Sequence, residues 1–128
     1  MNHIPENLRY TSEHEWASLQ ADLITIGITD FAQSSLGDIV FIELPAVGTQ
    51  ITKGKSFGVV ESIKSVSDLY APIDGTVEEV NSELVDSPEK CNQAPYSSWM
   101  IKVRVNNKND FDTLLNAQSY HEVCQKLS

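Results

Sequence analysis

The chain has 128 residues and 41% hydrophobic content, enough for one core and one domain. Its 18 Asp and Glu against 9 Lys and Arg give a formal charge of -9, and the cations are scattered, so nucleic acid and anionic membrane surfaces are disfavoured as partners. No apolar run reaches membrane-spanning length, and no signal core or Arg-rich presequence follows Met1, which makes a cytoplasmic location the expectation.

Residues 1–9 read as a lead-in and Tyr10 to Trp16 as one short strand or extended segment with aromatic ends. Within it, His14-Glu15 is not a metalloprotease motif, because Ser18 stands where the second histidine is needed; a hydrogen-bonded structural role is expected for His14. Leu23 to Ile28 is β-branched and reads as a strand. Thr29 then caps a short helix over Asp30 to Leu36, closed by Gly37. Ile39 to Leu44 is a nearly continuous apolar run of strand length, consistent with a strand deep in a sandwich, and Phe57 to Glu61 is the next strand.

Val59 to Pro72 holds two strand-like runs meeting at Ile63-Lys64, the pattern of a hairpin with a lysine at its tip. No Asn-Gly or Asp-Gly pair marks the turn. On either side stand Pro45-Ala46-Val47-Gly48-Thr49 and Pro72-Ile73-Asp74-Gly75-Thr76, two Pro-x-x-Gly-Thr turns. They suggest a pseudo-symmetric pair of half-sheets exchanging at Lys64.

Gly75 to Val80 is a further strand. Residues 81–98 are too many for a plain loop, and Ser87-Pro88 predicts a short helix over Pro88 to Cys91. Trp99 to Val105 alternates apolar and polar residues as a half-buried strand does. In the tail, about 109–127, Phe111, Leu114 and Leu115 share a helical face. Ser119 to Glu122 forms a capping-box pattern ahead of Val123, Cys124 and Leu127, so two short helices are expected to pack on a β core of about 10–105. Cys91 and Cys124 have no metal or redox spacing and read as thiols of a reducing compartment, with Cys124 on the tail's apolar stripe read as core.

About seven short strands with turn signals predict a mostly β scaffold. No nucleophile elbow, phosphate loop, metal cluster or paired catalytic motif is present, so no catalytic residue and no metal site is assigned. Lys64 does not suit Schiff-base chemistry, since Glu61 and Asp68 nearby favour its charged form. It is either a solvated surface charge or an acylation site.

The segments Tyr10-Thr11, His14-Glu15-Trp16, Gly27-Ile28-Thr29-Asp30, Leu36-Gly37-Asp38-Ile39-Val40, Glu43-Leu44-Pro45, Glu61-Ser62-Ile63-Lys64, Ser67 to Pro72, Asn92, Pro95-Tyr96 and Trp99-Met100-Ile101 stand together in this order. In them the sequence resembles the H proteins of the glycine cleavage system, across nearly the whole chain. The resemblance implies a flattened β-barrel sandwich of the lipoyl and biotinyl carrier type with short helices, one segment of them C-terminal. It implies lipoic acid in amide linkage on Lys64, no catalysis by the carrier itself, and a monomer. The implied partners are glycine decarboxylase, aminomethyltransferase, dihydrolipoamide dehydrogenase and the lipoylating enzymes. Glu61 and Gly48 match positions that help lipoylating enzymes find the right lysine. Glu15 and Asp68 match acidic positions associated with the arm's resting cleft.

The sequence departs from the family pattern at Ile63 and Ser65, usually valine and alanine, at Ser35, and at Pro95 to Trp99, usually glycine-containing and one residue longer. A biotinyl carrier usually sets its lysine between methionines, and a 2-oxoacid dehydrogenase lipoyl domain sets it between aspartate and alanine; Ile63 and Ser65 match neither. A lipoyl donor or regulatory carrier of the same family stays open as an alternative role.

Overall fold

A computed structural model describes residues 3–127. Strands β1 (Arg9–Tyr10), β2 (Glu15–Gln20), β3 (Leu23–Ile28), β9 (Ile101–Arg104), β8 (Gly75–Val80) and β5 (Gln50–Ile51) form one sheet in that spatial order. Strands β4 (Ile39–Glu43), β6 (Ser56–Ser62) and β7 (Val66–Tyr70) form a second sheet, with β6 in the centre. All pairings are antiparallel. The expected mostly β sandwich with short helices is what the chain forms.

Period-two alternation places the core between the sheets. Ile24 and Ile26 of β3 and Ile101 and Val103 of β9 turn inward, while Thr25, Lys102 and Arg104 turn outward. Ile42, Val60 and Leu69 face them from the smaller sheet, each at 2% exposure or less. Burying each such aliphatic side chain stabilises the fold by about 1.5–3 kcal/mol. A satellite cluster of Tyr10, Trp16, Tyr120 and Cys124 fastens helix α4 (Ala117–Leu127) to β1 and β2, with Tyr10 and Tyr120 stacked at 4.6 Å.

Helix α1 (Asp30–Leu36) starts and stops where the sequence reading puts it. Thr29 Oγ1 accepts from the Ala32 N–H, and the Gly37 N–H donates to the Gln33 carbonyl. Thr29 also holds the far end of the chain: its Oγ1 lies 2.7 Å from the Tyr120 hydroxyl, which lies 2.8 Å from His14 Nδ1. His14 is thus structural as expected, and burial lowers its pKa. Tyr120→Phe leaves His14 and Thr29 short of a partner and should cost about 1–3 kcal/mol, read as a lower midpoint at unchanged slope in urea unfolding.

Several expectations need correction. Ile39 to Leu44 does not lie deep in the sandwich, because β4 is an edge strand that buries Ile39 and Ile42 and turns Val40 and Phe41 to solvent. Tyr10 to Trp16 is not one strand, because β1 ends at Tyr10 and the chain turns through His14 at φ +72 before β2 begins. The 81–98 segment holds an unforeseen helix α2 (Ser82–Asp86), and α3 (Lys90–Gln93) begins later than predicted. Ser87 ends α2 through its N–H to the Glu83 carbonyl and does not cap α3. In the tail, the first helix is a 3₁₀ segment (Lys108–Thr113). The capping box fails as well, since Asn116 Oδ1 accepts the Ser119 N–H and α4 starts at Ala117.

The two Pro-x-x-Gly-Thr turns meet in space. The Gly48 N–H donates to the Val77 carbonyl, the Val77 N–H donates to the Thr49 carbonyl, and Gln50 pairs with Thr76. Their glycines serve different needs. Gly48 has φ +93, whereas at Gly75 a Cβ would lie 2.4 Å from Val103 Cγ1 and 2.6 Å from the Arg104 carbonyl oxygen.

Candidate functional site

Lys64 crowns the β6–β7 hairpin. Glu61 and Val66 are the last paired residues, leaving Ser62 to Ser65 to reverse the chain. The Ser62 N–H donates to the Ser65 carbonyl at 2.8 Å, and the Ser65 N–H donates to Ser62 Oγ at 3.1 Å. A serine hydroxyl here takes the place of a backbone carbonyl, and neither Ile63 nor Lys64 has positive φ. That explains a turn with no Asn-Gly pair.

The tip is tied down at a third point. The Ile63 N–H donates to the Asp38 carbonyl at 3.1 Å, joining the hairpin to the link between α1 and β4. The lysine stem passes over Gly37, where an added Cβ would lie 3.6 Å from Lys64 Cε. Lys64 is exposed, and among the described residues no ion pair engages its amine. A fixed backbone carrying a long, unpaired amine stem suits acylation of the side chain.

Glu61 stands on the outer face of the smaller sheet, on the central strand at the tip end, in a cross-strand row with Phe41 and Val66. Asp68 lies on the same face, paired with Val59, and accepts a hydrogen bond from Ser56 Oγ at 3.1 Å. Gly48 is elsewhere, in the turn that leads to β5 of the larger sheet. Its positive φ explains the glycine without reference to Lys64.

Glu15 is the least exposed of the predicted carboxylates, at 2%. Its Oε1 accepts from Thr11 Oγ1, and its Oε2 accepts from the Tyr70 N–H at 3.2 Å. Tyr70 ends β7, an edge strand, so Glu15 satisfies an otherwise unpaired backbone donor and clips the two sheets together. Burial pushes its pKa up to about 7, against the hydrogen bonds that pull it down. Beside it opens a cleft of about 460 Å³ lined by Glu13, Glu15, Lys53, Tyr70, Pro72 and Leu114 among others. Asp68 does not line this cleft, so the structure does not bring the two predicted arm carboxylates into one pocket.

Sequence reasoning missed Ser62 as the maker of the turn and Thr11 as a ligand of Glu15. The altered 95–99 loop turns inward: the Trp16 Nε1–H donates to the Pro95 carbonyl at 3.1 Å. The Tyr96 hydroxyl accepts from the Asp30 N–H at 3.2 Å at the start of α1.

Fold and site together define a small two-sheet β protein that presents one unpaired lysine on an anchored hairpin. A sequence profile described as "Glycine cleavage H-protein" matches residues 8–127. The chain is 52% identical over 127 residues to the glycine cleavage system H protein of Carboxydothermus hydrogenoformans, covering 98% of each. To that of a Geobacillus species it is 54% identical over 123 residues, covering 95% of this chain and 97% of the relative. The crystal structure of a glycine cleavage system H protein from Mycobacterium marinum superposes with a TM-score of 0.87 at 38% identity, covering 98% of this chain and all of that one. The chain belongs to the glycine cleavage H-protein family.

Proposed function

We propose that this protein is the lipoyl-bearing shuttle of a glycine cleavage system. It takes an aminomethyl group from the glycine decarboxylase component, yields it to the aminomethyltransferase, and is reoxidised by dihydrolipoamide dehydrogenase. The observation that carries the reading is Lys64: an exposed amine with no ion partner, on a hairpin tip held by Ser62, Ser65 and Asp38, in a chain of this family. Lipoate attached there supplies a disulfide able to take up a carbon fragment and electrons together. The chain itself contributes reach and shelter rather than catalysis.

Strand β7 runs about 13 Å from Val66, beside the lysine turn, to Tyr70 and the cleft, with Asp68 on the way. Asp68 and Glu15 are the carboxylates on that route suited to holding a cationic amine by charge-assisted hydrogen bonds. Glu61, three residues before the lysine, serves the enzymes that attach lipoate. Gly48 shapes a turn and joins that recognition only through the surface around it.

Attachment is tested by incubating the protein with a lipoate–protein ligase, ATP and lipoate. The expected result is one lipoyl mass increment, found in the peptide that contains Lys64. No increment, or one on another lysine, overturns the assignment.

A further inference from the structure

The outer face of the β4-β6-β7 sheet is not an ordinary solvated surface. Its rows run Phe41, Glu61, Val66 and then Glu43, Val59, Asp68, so apolar side chains alternate with carboxylates across all three strands. Val40, Phe41, Ile63 and Val66 are 52%, 45%, 75% and 67% exposed. They are four of the seven large exposed hydrophobic residues among those described. A β-bulge between Ile39 and Phe41 turns both Val40 and Phe41 to solvent beside the lysine turn. Exposed apolar residues grouped in this way mark an interaction surface.

We infer that this face is the footprint of the enzyme that acylates Lys64, with Phe41 and Val66 as apolar anchors on either side of Glu61. The inference rests on the carrier reading above. Reach decides between acylating and cargo-handling enzymes as the occupant. Amide formation requires the Lys64 amine to attack the carbonyl carbon of an acyl adenylate. The C–N bond forms as the acyl–phosphate bond breaks, AMP leaves, and the amine gives up a proton. The acyl donor must come within bonding distance of Nζ, so the enzyme encloses Ile63-Lys64 and its body rests on the adjoining sheet face. Enzymes that act on the sulfurs work at the far end of a long arm and need not press on this face.

Charge points the same way. Glu43, Glu61 and Asp68 lie on the face, with Lys64 at its crown. The fitting partner surface is therefore an apolar recess edged with Lys or Arg.

The test uses the full chain with Phe41→Thr and Val66→Thr combined, both positions being exposed. Initial lipoylation by a lipoate–protein ligase should fall about tenfold or more in kcat/KM, while Val85→Thr, exposed elsewhere, stays at the wild-type rate. Glu43→Arg should lower the same rate, and more so at low salt. Once driven to full lipoylation, the double variant should accept glycine-derived carbon from the decarboxylase at the wild-type rate. Unchanged lipoylation of both variants overturns the footprint. Equal losses in lipoylation and glycine loading overturn its assignment to the acylating enzyme. A wild-type chain that takes up no lipoate overturns the carrier reading itself.

Discussion

Lys64→Arg should take up no lipoate and support no glycine-dependent release of carbon dioxide, while keeping the wild-type circular dichroism spectrum and unfolding midpoint. The reasoning separates the amine from the turn. Arginine keeps the charge and a long stem, but its guanidinium stays protonated and is not an acyl acceptor. The turn is made by Ser62 Oγ, the Ser65 N–H and the Asp38 carbonyl, none of which involves the lysine side chain. An exposed substitution of this kind moves stability by no more than about 0.5 kcal/mol. Intact mass after ligase treatment and labelled-glycine decarboxylation check the two halves. An acylated population of the variant, or undiminished carbon dioxide release, would show that the site is elsewhere.

Glu15→Gln should flatten the pH dependence of stability. The wild-type carboxyl has its folded pKa raised from 4.5 to about 7 by burial. The folded state then holds the proton more tightly than the unfolded one. The resulting contribution is fully present below the unfolded value and is lost as pH rises through the folded value. Between about pH 4.5 and 7 the wild type should therefore lose stability, up to roughly 3 kcal/mol if the whole shift is expressed. The glutamine variant carries no such charge and should lack the slope. Urea midpoints at about pH 5 and about pH 8 measure it, and parallel behaviour of the two proteins would sink the account. A cationic amine bound at Glu15 would favour the ionised form. A loaded Glu15→Gln, Asp68→Asn double variant should therefore release formaldehyde faster than wild type, and an equal rate would remove both residues from that role.

Much of this fold was legible because local chemistry and tertiary structure agree. Thr29 and Gly37 bound α1 with the bonds their residue types suggest, and the alternation of β9 survives as buried Ile101 and Val103 beside outward Lys102 and Arg104. Several misses share a cause, which is that the deciding partner is distant in sequence or is backbone. Tyr10 to Trp16 looked continuous because a positive φ at His14 has no sequence signal. It is tolerated where the His14 carbonyl accepts the Thr29 N–H and the ring meets Tyr120. Ser119 matched a capping box, yet Asn116 stands three residues earlier, where its Oδ1 accepts the Ser119 N–H and caps α4.

The site divides in the same way. Lys64 was readable as a hairpin tip, since two β-branched runs flank it. Glu15 as a buried clip was not, because its need arises from the Tyr70 N–H on the open edge of β7, 55 residues away. The outer-face rows became visible only with the register, which pairs Phe41 with Glu61 and Glu61 with Val66. No periodicity within one strand reports which residues face each other across three.

The most direct test of the carrier claim is the mass of the Lys64 peptide after the lipoylated protein meets glycine and an active glycine decarboxylase. The account predicts that this peptide gains the elements of methylamine as carbon dioxide is released. When the aminomethyltransferase and tetrahydrofolate are added it loses carbon to the folate and nitrogen as ammonia, which leaves the arm as the dithiol, two hydrogens heavier than the starting disulfide. An unchanged peptide mass, with the same decarboxylase loading the Carboxydothermus hydrogenoformans H protein alongside, would contradict it.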